Sequence, residues 1–264
     1  MELEVIKCLP TTNSTFPPLL FVHGAHHGAW CWEETFLPFF AEKGYPAYAV
    51  SLRGHGNSYG FENLDLYSLE DYMDDVLHVI GLMEAKPILI GHSMGGAIVQ
   101  KIHQQYSDRI IAMVLMASLP HEGMLLIWLR LLFTKFNEVI KLLFKIKSKK
   151  IGSNVDPFFS SSLPLRKRIQ YLLKLKPESS KARRQMLFRI VPKSRISKVP
   201  SLVLGSEQDW YFTGKTTLRI GRAYGATTVV FPDISHDMML DPKWKNVSEN
   251  ILLFLDNLEI SKGD

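Results

Sequence analysis

The residues with the clearest chemical potential lie in Ile90-Gly91-His92-Ser93-Met94-Gly95-Gly96, where a serine stands between glycines in Gly-x-Ser-x-Gly spacing. A serine hydroxyl is a weak nucleophile until a base takes its proton, and that base needs a carboxylate to orient it. The spacing has chemical meaning where it joins a strand to a helix. A sharp turn there strains the serine backbone and lifts its hydroxyl clear of the sheet. Glycines on either side admit the close turn, and the first helical N–H groups face developing negative charge. In this architecture an acid and then a histidine follow the serine along the chain. Downstream of Ser93 stand His103, His121 and His236. His103 falls in the helix after the serine and should point away, and His121 precedes every acid candidate after the later strand. His236, in Pro232-Asp233-Ile234-Ser235-His236-Asp237, is therefore the expected base. Asp209, in Gly205-Ser206-Glu207-Gln208-Asp209-Trp210, is the expected acid, with Glu207 as runner-up. Asp233 and Asp237 flank His236 too closely to bond its ring well and read as loop caps.

Attack on a carbonyl creates an oxyanion that needs fixed donors, commonly two backbone N–H groups. Met94, directly after the serine, should supply one. The other should come from His23-Gly24-Ala25-His26-His27-Gly28-Ala29-Trp30, with Ala25 as the donor. His26 and His27 are adjacent, so their side chains point in different directions, and no carboxylate or cysteine cluster accompanies them. Metal binding is not expected. Gly54-His55-Gly56-Asn57 reads as a structural turn, because no Gly-Lys-Ser/Thr follows to make it a phosphate cradle. No cofactor is expected.

The elements that must position these groups are legible as short apolar runs alternating with helical patterns. Residues 18–23, 47–52, 87–91 and 110–117 read as strands. Ser68 caps a helix in which Val76, Leu77, Ile80 and Met83 recur at helical spacing, and residues 93–106 form the next helix. From 120 to about 198 the sequence is helical, basic and short of strand candidates. Strands at 201–205 and 227–231 and helices near 216–224 and 244–258 then resume the rhythm. Such alternation implies a parallel sheet covered on both faces. The economical division is a core of 1–119 and 199–264 with a helical insertion, 120–198. Within that insertion, residues 124–133 are apolar but too short for a membrane span. Arg130, Thr134, Asn137/Glu138, Lys141 and Lys145 would give the helix one polar stripe, as suits a lid packed on the body.

The 264 residues, 46% hydrophobic and 22% charged, have ordinary globular composition. The net charge of +5 hides an asymmetry: residues 121–198 hold 19 Lys/Arg against 4 Asp/Glu, and the remainder 12 against 22. A basic insertion would suit an acidic carrier or an anionic membrane surface, but its charges carry no nucleic-acid reader motif. Cys8 and Cys31 make neither a disulfide framework nor a metal site. With no basic region preceding an apolar run at the start, a cytoplasmic setting is the expectation.

His23-Gly24, the Leu52-Arg53-Gly54-His55-Gly56-Asn57-Ser58 turn, residues 91–95, Asp209 and His236 together resemble the α/β-hydrolase family over nearly the whole chain. The 23–30 loop is similar to that of the plant methyl-esterase and hydroxynitrile-lyase branch. The 52–58 turn and long insertion are closer to bacterial esterases and monoacylglycerol-lipase-like proteins. The resemblance implies an eight-stranded, mostly parallel sheet with a helical cap between the sixth and seventh strands. It points to a carboxylic-ester hydrolase with an apolar acyl group, given the Leu, Phe, Ile and Met of the insertion. Thioester hydrolysis or acyl transfer on acyl-CoA or acyl carrier protein is the alternative. C–C bond hydrolysis and a ligand receptor are further ones. Serine at 93 argues against the dehalogenase and epoxide-hydrolase branches, whose nucleophile is aspartate.

Overall fold

The structure, a computed structural model, describes residues 2–137, 157–192 and 199–258. Strands apolar on both faces suit the middle of a covered parallel sheet. Leu19–Val22 (β2), Ile88–His92 (β4), Ala112–Met116 (β5) and Ser201–Ser206 (β6) are buried at every position. With Val5–Cys8 (β1), Ala47–Val50 (β3) and Thr227–Phe231 (β7) they form one sheet in the order β1-β3-β2-β4-β5-β6-β7. Every neighbouring pair is parallel except β1, which runs antiparallel to β3. The described residues therefore hold seven strands where the family resemblance implies eight, and the long insertion follows the fifth strand. One strand alone precedes β2, and the chain between them carries Pro10, Pro17 and Pro18. Proline has no N–H to give to a ladder, which disfavours another paired strand there.

Alternation along each strand sends side chains to two separate cores. Leu20 and Val22 face Leu69–Gly81 (α3) and Met94–Gln105 (α4), packing with Tyr72, Val76, Ile98 and Ile102. Leu19 and Phe21 face Trp30–Glu33 (α1), Phe36–Glu42 (α2) and the last helix, packing with Trp32, Phe40 and Ile251. Ser68 caps α3 as expected: Asp71 N–H donates to its hydroxyl at 3.2 Å, and Ser68 N–H donates to the Asp71 carboxylate at 2.7 Å. Gly214–Tyr224 (α8) and Trp244–Asp256 (α9) complete the layers.

Between β5 and β6 the described elements are the helices Leu125–Thr134 (α5), Leu165–Lys174 (α6) and Ser180–Leu187 (α7). Helix α5 buries Ile127 and Leu131, yet Leu126 (76% exposed) and Phe133 (87%) face outward, so Arg130 and Thr134 do not make a clean polar stripe. Glu138, Lys141 and Lys145, the rest of the expected stripe, lie outside the described residues. No described helix is long and apolar enough to cross a membrane.

The β4–α4 turn passes hard against β2. A methyl group at Gly95 would overlap the carbonyl oxygens of Val22 and His23, whereas one at Gly81 would meet nothing within 4 Å. Gly95→Ala should therefore cost about 3 kcal/mol or more, and Gly81→Ala in α3 should be neutral or stabilise by up to about 1 kcal/mol. Thermal unfolding of the two variants checks this; equal midpoints would contradict the packing described.

Candidate active site

Ser93 ends β4 and opens α4 with φ 51° and ψ −113°, a left-handed backbone that an L-residue adopts only under constraint. Several contacts impose it. Ser93 N–H donates to Met116 O at 3.0 Å, and Ser93 O accepts from Leu119 N–H and Ala97 N–H at 3.2 and 3.3 Å. The C-terminal ends of β2, β4, β6 and β7 lie on one edge of the parallel array, so the loops after them converge there. That edge collects the expected residues.

His236 Nε2 lies 3.1 Å from Ser93 Oγ, and His236 Nδ1 lies 2.8 Å from Asp209 Oδ2. Asp209 Oδ2 accepts from Nδ1–H, which leaves the Nε2 lone pair facing the serine hydroxyl. Asp209 Oδ1 accepts Tyr211 N–H (2.8 Å) and Phe212 N–H (3.0 Å), fixing the carboxylate at the end of its loop. Ser206 Oγ accepts N–H groups from both loops, Gln208 at 3.2 Å and Ile234 at 3.2 Å, and so pins the acid loop to the histidine loop. Burial disfavours the imidazolium of His236, but the charge and hydrogen bond of Asp209, aided by the charge of Asp237, outweigh it and raise the pKa above 6.5.

The other candidates fall elsewhere. Glu207 is exposed. His103 is buried against Tyr224, and His121 lies beside Glu122. The 52–58 turn is closed on itself and on α3: Gly54 N–H donates to Tyr59 O, and Arg53 grips Asp75 through Nε (2.9 Å) and Nη2 (2.7 Å). Its polar groups are engaged by the protein, as in a structural turn.

In the 23–30 loop, His23 accepts Leu52 N–H at Nε2 (3.0 Å) and donates from Nδ1 to Gly24 O (2.8 Å), tying the loop to β3. The N–H groups of Ala25 and Met94 have no hydrogen-bond acceptor among the described residues. The adjacent histidines diverge. His26, with φ 72°, turns to Lys176; His27 turns to Asp237. Both His27 nitrogens face oxygens, Ala25 O at 2.8 Å and Asp237 Oδ2 at 2.9 Å, so the ring carries both protons. Burial opposes this charge, but the Asp237 carboxylate prevails and raises the His27 pKa, while burial of Asp237 is outweighed by His27 and its pKa is lowered.

Asp237 is thus not the loop cap expected from its position. It is fully buried and ion-paired, and capping falls to Asp241, which accepts Ser235 N–H (2.9 Å) and Lys243 N–H (2.9 Å). Asp233 pairs with Lys243 at the surface. His92, beside Ser93, donates from Nε2 to His236 O at 3.0 Å and so braces His236 from behind. Burial, with the charge of His236, holds His92 neutral with a pKa down at about 3. His92, His236 and Asp237 bring potential ligand atoms within 4.8 Å of one another. Both His236 nitrogens already serve Asp209 and Ser93, and Asp237 Oδ2 is engaged by His27. The sequence marked His26 and His27 as an adjacent pair and Asp233 and Asp237 as loop caps, but not the pairing of His27 with Asp237.

Ser93 and His236 open into a cavity of about 600 Å³ walled by Met124, Trp128, Phe158, Leu187 and Tyr211. Arg183 and Arg184 also border it.

Comparison with known proteins agrees with this fold. Residues 19–244 match the model of the alpha/beta hydrolase family, and the chain belongs to that family. It is similar to a pFDCC methylesterase of Arabidopsis thaliana, 33% identical over 107 residues, which are 39% of this chain and 40% of that protein. A pyrethroid hydrolase of Sphingobium wenxiniae is 28% identical over 100 residues, 38% of this chain and 35% of the relative. These alignments thus take in well under half the length of either relative. In fold the chain resembles the monoacylglycerol lipase of Paleococcus ferrophilus, with a TM-score of 0.69, 21% identity and 97% and 98% of the two chains covered.

The raised His236 pKa has a measurable consequence. Only the neutral imidazole can take a proton, so Ser93 labelling by a fluorophosphonate should reach half its plateau rate above pH 6.5. Asp237→Asn removes a negative charge that favours the imidazolium, so its midpoint should fall below that of the wild type. A pH–rate profile of labelling tests this; an unmoved midpoint would show that Asp237 does not act on His236.

Proposed function

We propose that the protein is a carboxylic-ester hydrolase that works through an acyl-enzyme on Ser93. The observation that carries this reading is the continuous hydrogen-bond chain from Ser93 Oγ through His236 to Asp209. His236 Nε2 removes the proton as Ser93 Oγ attacks the ester carbonyl, and Asp209 stabilises the imidazolium. The oxyanion takes hydrogen bonds from Ala25 N–H and Met94 N–H, and collapse expels the alcohol with the proton returned by His236. Water, activated by the same histidine, then releases the acid and frees Ser93. The apolar walls of the cavity favour an apolar acyl group. Residues 120–198 act as the cap over the 1–119 and 199–264 core and supply Met124, Trp128, Phe158 and Leu187 to that cavity. The esterase and lipase names of the relatives agree with this chemistry.

One observation favours a second reading. Arg183 and Arg184 at the cavity would attract an anionic leaving group, as in acyl-CoA or an acyl carrier protein. Thioester turnover that falls steeply with salt would support it, and salt-independent turnover of simple esters in preference to thioesters would exclude it.

A panel of p-nitrophenyl esters of increasing chain length tests the principal reading. Ser93→Ala should abolish turnover, and Asp209→Asn should lower kcat by about 10³- to 10⁴-fold. Undiminished hydrolysis by Ser93→Ala would overturn the mechanism.

A further inference from the structure

The reaction above makes no use of Glu178, a carboxylate 4% exposed in the segment joining α6 to α7. Its surroundings are unusual for a side chain from a connecting segment. Glu178 Oε1 accepts Tyr72 O–H at 2.8 Å and Ser179 N–H at 2.7 Å, and Oε2 faces His55 Nε2 at 3.1 Å and accepts His26 N–H at 3.3 Å. Each oxygen therefore has two partners, drawn from α3, the 52–58 turn, the 23–30 loop and its own segment. Burial raises its pKa, but the hydrogen bond and charge of His55, helped by His26 and Tyr72, bring it down to about 2. Two residues earlier, Lys176 N–H donates to His26 O at 2.9 Å, and His26 Nδ1 donates to Lys176 O at 2.9 Å. The segment thus holds His26 at its N–H, its carbonyl and its ring.

His26 is the residue so held, and it is also the one in that loop with a left-handed φ, 72°. An L-residue does not rest there unless its surroundings compel it. It directly follows Ala25, so holding His26 N–H fixes the Ala25–His26 peptide and limits how Ala25 can turn. We propose that Glu178 is a positioning residue for the oxyanion donor: by gripping His26 N–H, it holds Ala25 N–H toward the carbonyl attacked by Ser93. Docking of the inserted segment and completion of the oxyanion site are then one event. Glu178 touches no reacting atom, and the inference rests on the ester-hydrolase reading above.

Glu178→Gln keeps the shape but replaces one acceptor oxygen with an NH₂ that cannot accept. The measurement is kcat per active serine, with Ser93 titrated by a fluorophosphonate so that unfolded protein is not counted. Displacing one donor should lower that kcat by about 10- to 100-fold, with KM within about threefold. The affinity of a trifluoromethyl ketone, whose serine adduct carries the oxyanion, should weaken by the same factor as kcat/KM. Glu178→Asp, which keeps the charge but shortens the reach to His26, should show a smaller loss and carries the test alone if Glu178→Gln does not fold. A fall in the number of titratable serines with unchanged kcat per serine would mean that Glu178 only stabilises the fold and would overturn the proposal. Failure of the hydrolase reading itself would look different, because Ser93→Ala would then retain activity.

Discussion

The approach of α4 to the end of β2 is the constraint from which the rest of the site follows. Because Gly95 lies against the carbonyls of Val22 and His23, the helix after Ser93 starts where a larger residue could not fit. That closeness brings the free N–H of Met94 to the same edge as the 23–30 loop, beside the left-handed turn of Ser93. The energy stored in the turn is held by the strands on either side. β4 and β5 are buried along their whole length and hydrogen-bonded to neighbours on both sides, so the strained residue is anchored to fully paired strands.

Around that turn the protein has buried an unusual amount of ionisable material. His23, His27, His92, His236, Asp209 and Asp237 are all almost inaccessible. Desolvation would neutralise them if they stood alone. They divide instead into two carboxylate–imidazole couples, with His23 and His92 kept neutral by burial as spacers. One couple includes the proposed base. The other holds the loop opposite, so both sides of the cleft are fixed by the same physics. In an interior of low effective dielectric, such pairs keep their geometry better than exposed ones.

Much of this was legible in the sequence, for reasons that differ from residue to residue. The central strands were found because a run apolar on both faces has few other interpretations, and their ends agree with the structure to within two residues. Strand β1 escaped because Val5-Ile6-Lys7-Cys8 is half exposed and has no strong pattern. Ser93, Asp209 and His236 could be picked out because each lies in a loop just beyond a recognisable strand, and chain order restricts the choice. Asp237, His27 and Glu178 could not. Their partners lie 210 residues apart for His27–Asp237 and 152 for His26–Glu178, and only the closed fold brings them together. The mistaken reading of Asp237 shows the limit: proximity to His236 in sequence said nothing of the histidine across the cleft.

Ser206 shows how the fold divides its duties. One hydroxyl receives the backbone of both the Asp209 loop and the His236 loop, so those loops form a unit anchored on β6 and β7. The 23–30 loop is joined both to that unit, through His27 and Asp237, and to the segment between α6 and α7, through Lys176 and Glu178. Phe158 O, in the segment between β5 and β6, also accepts Asp237 N–H at 3.0 Å, so a change in that segment would be felt on both sides of the cleft.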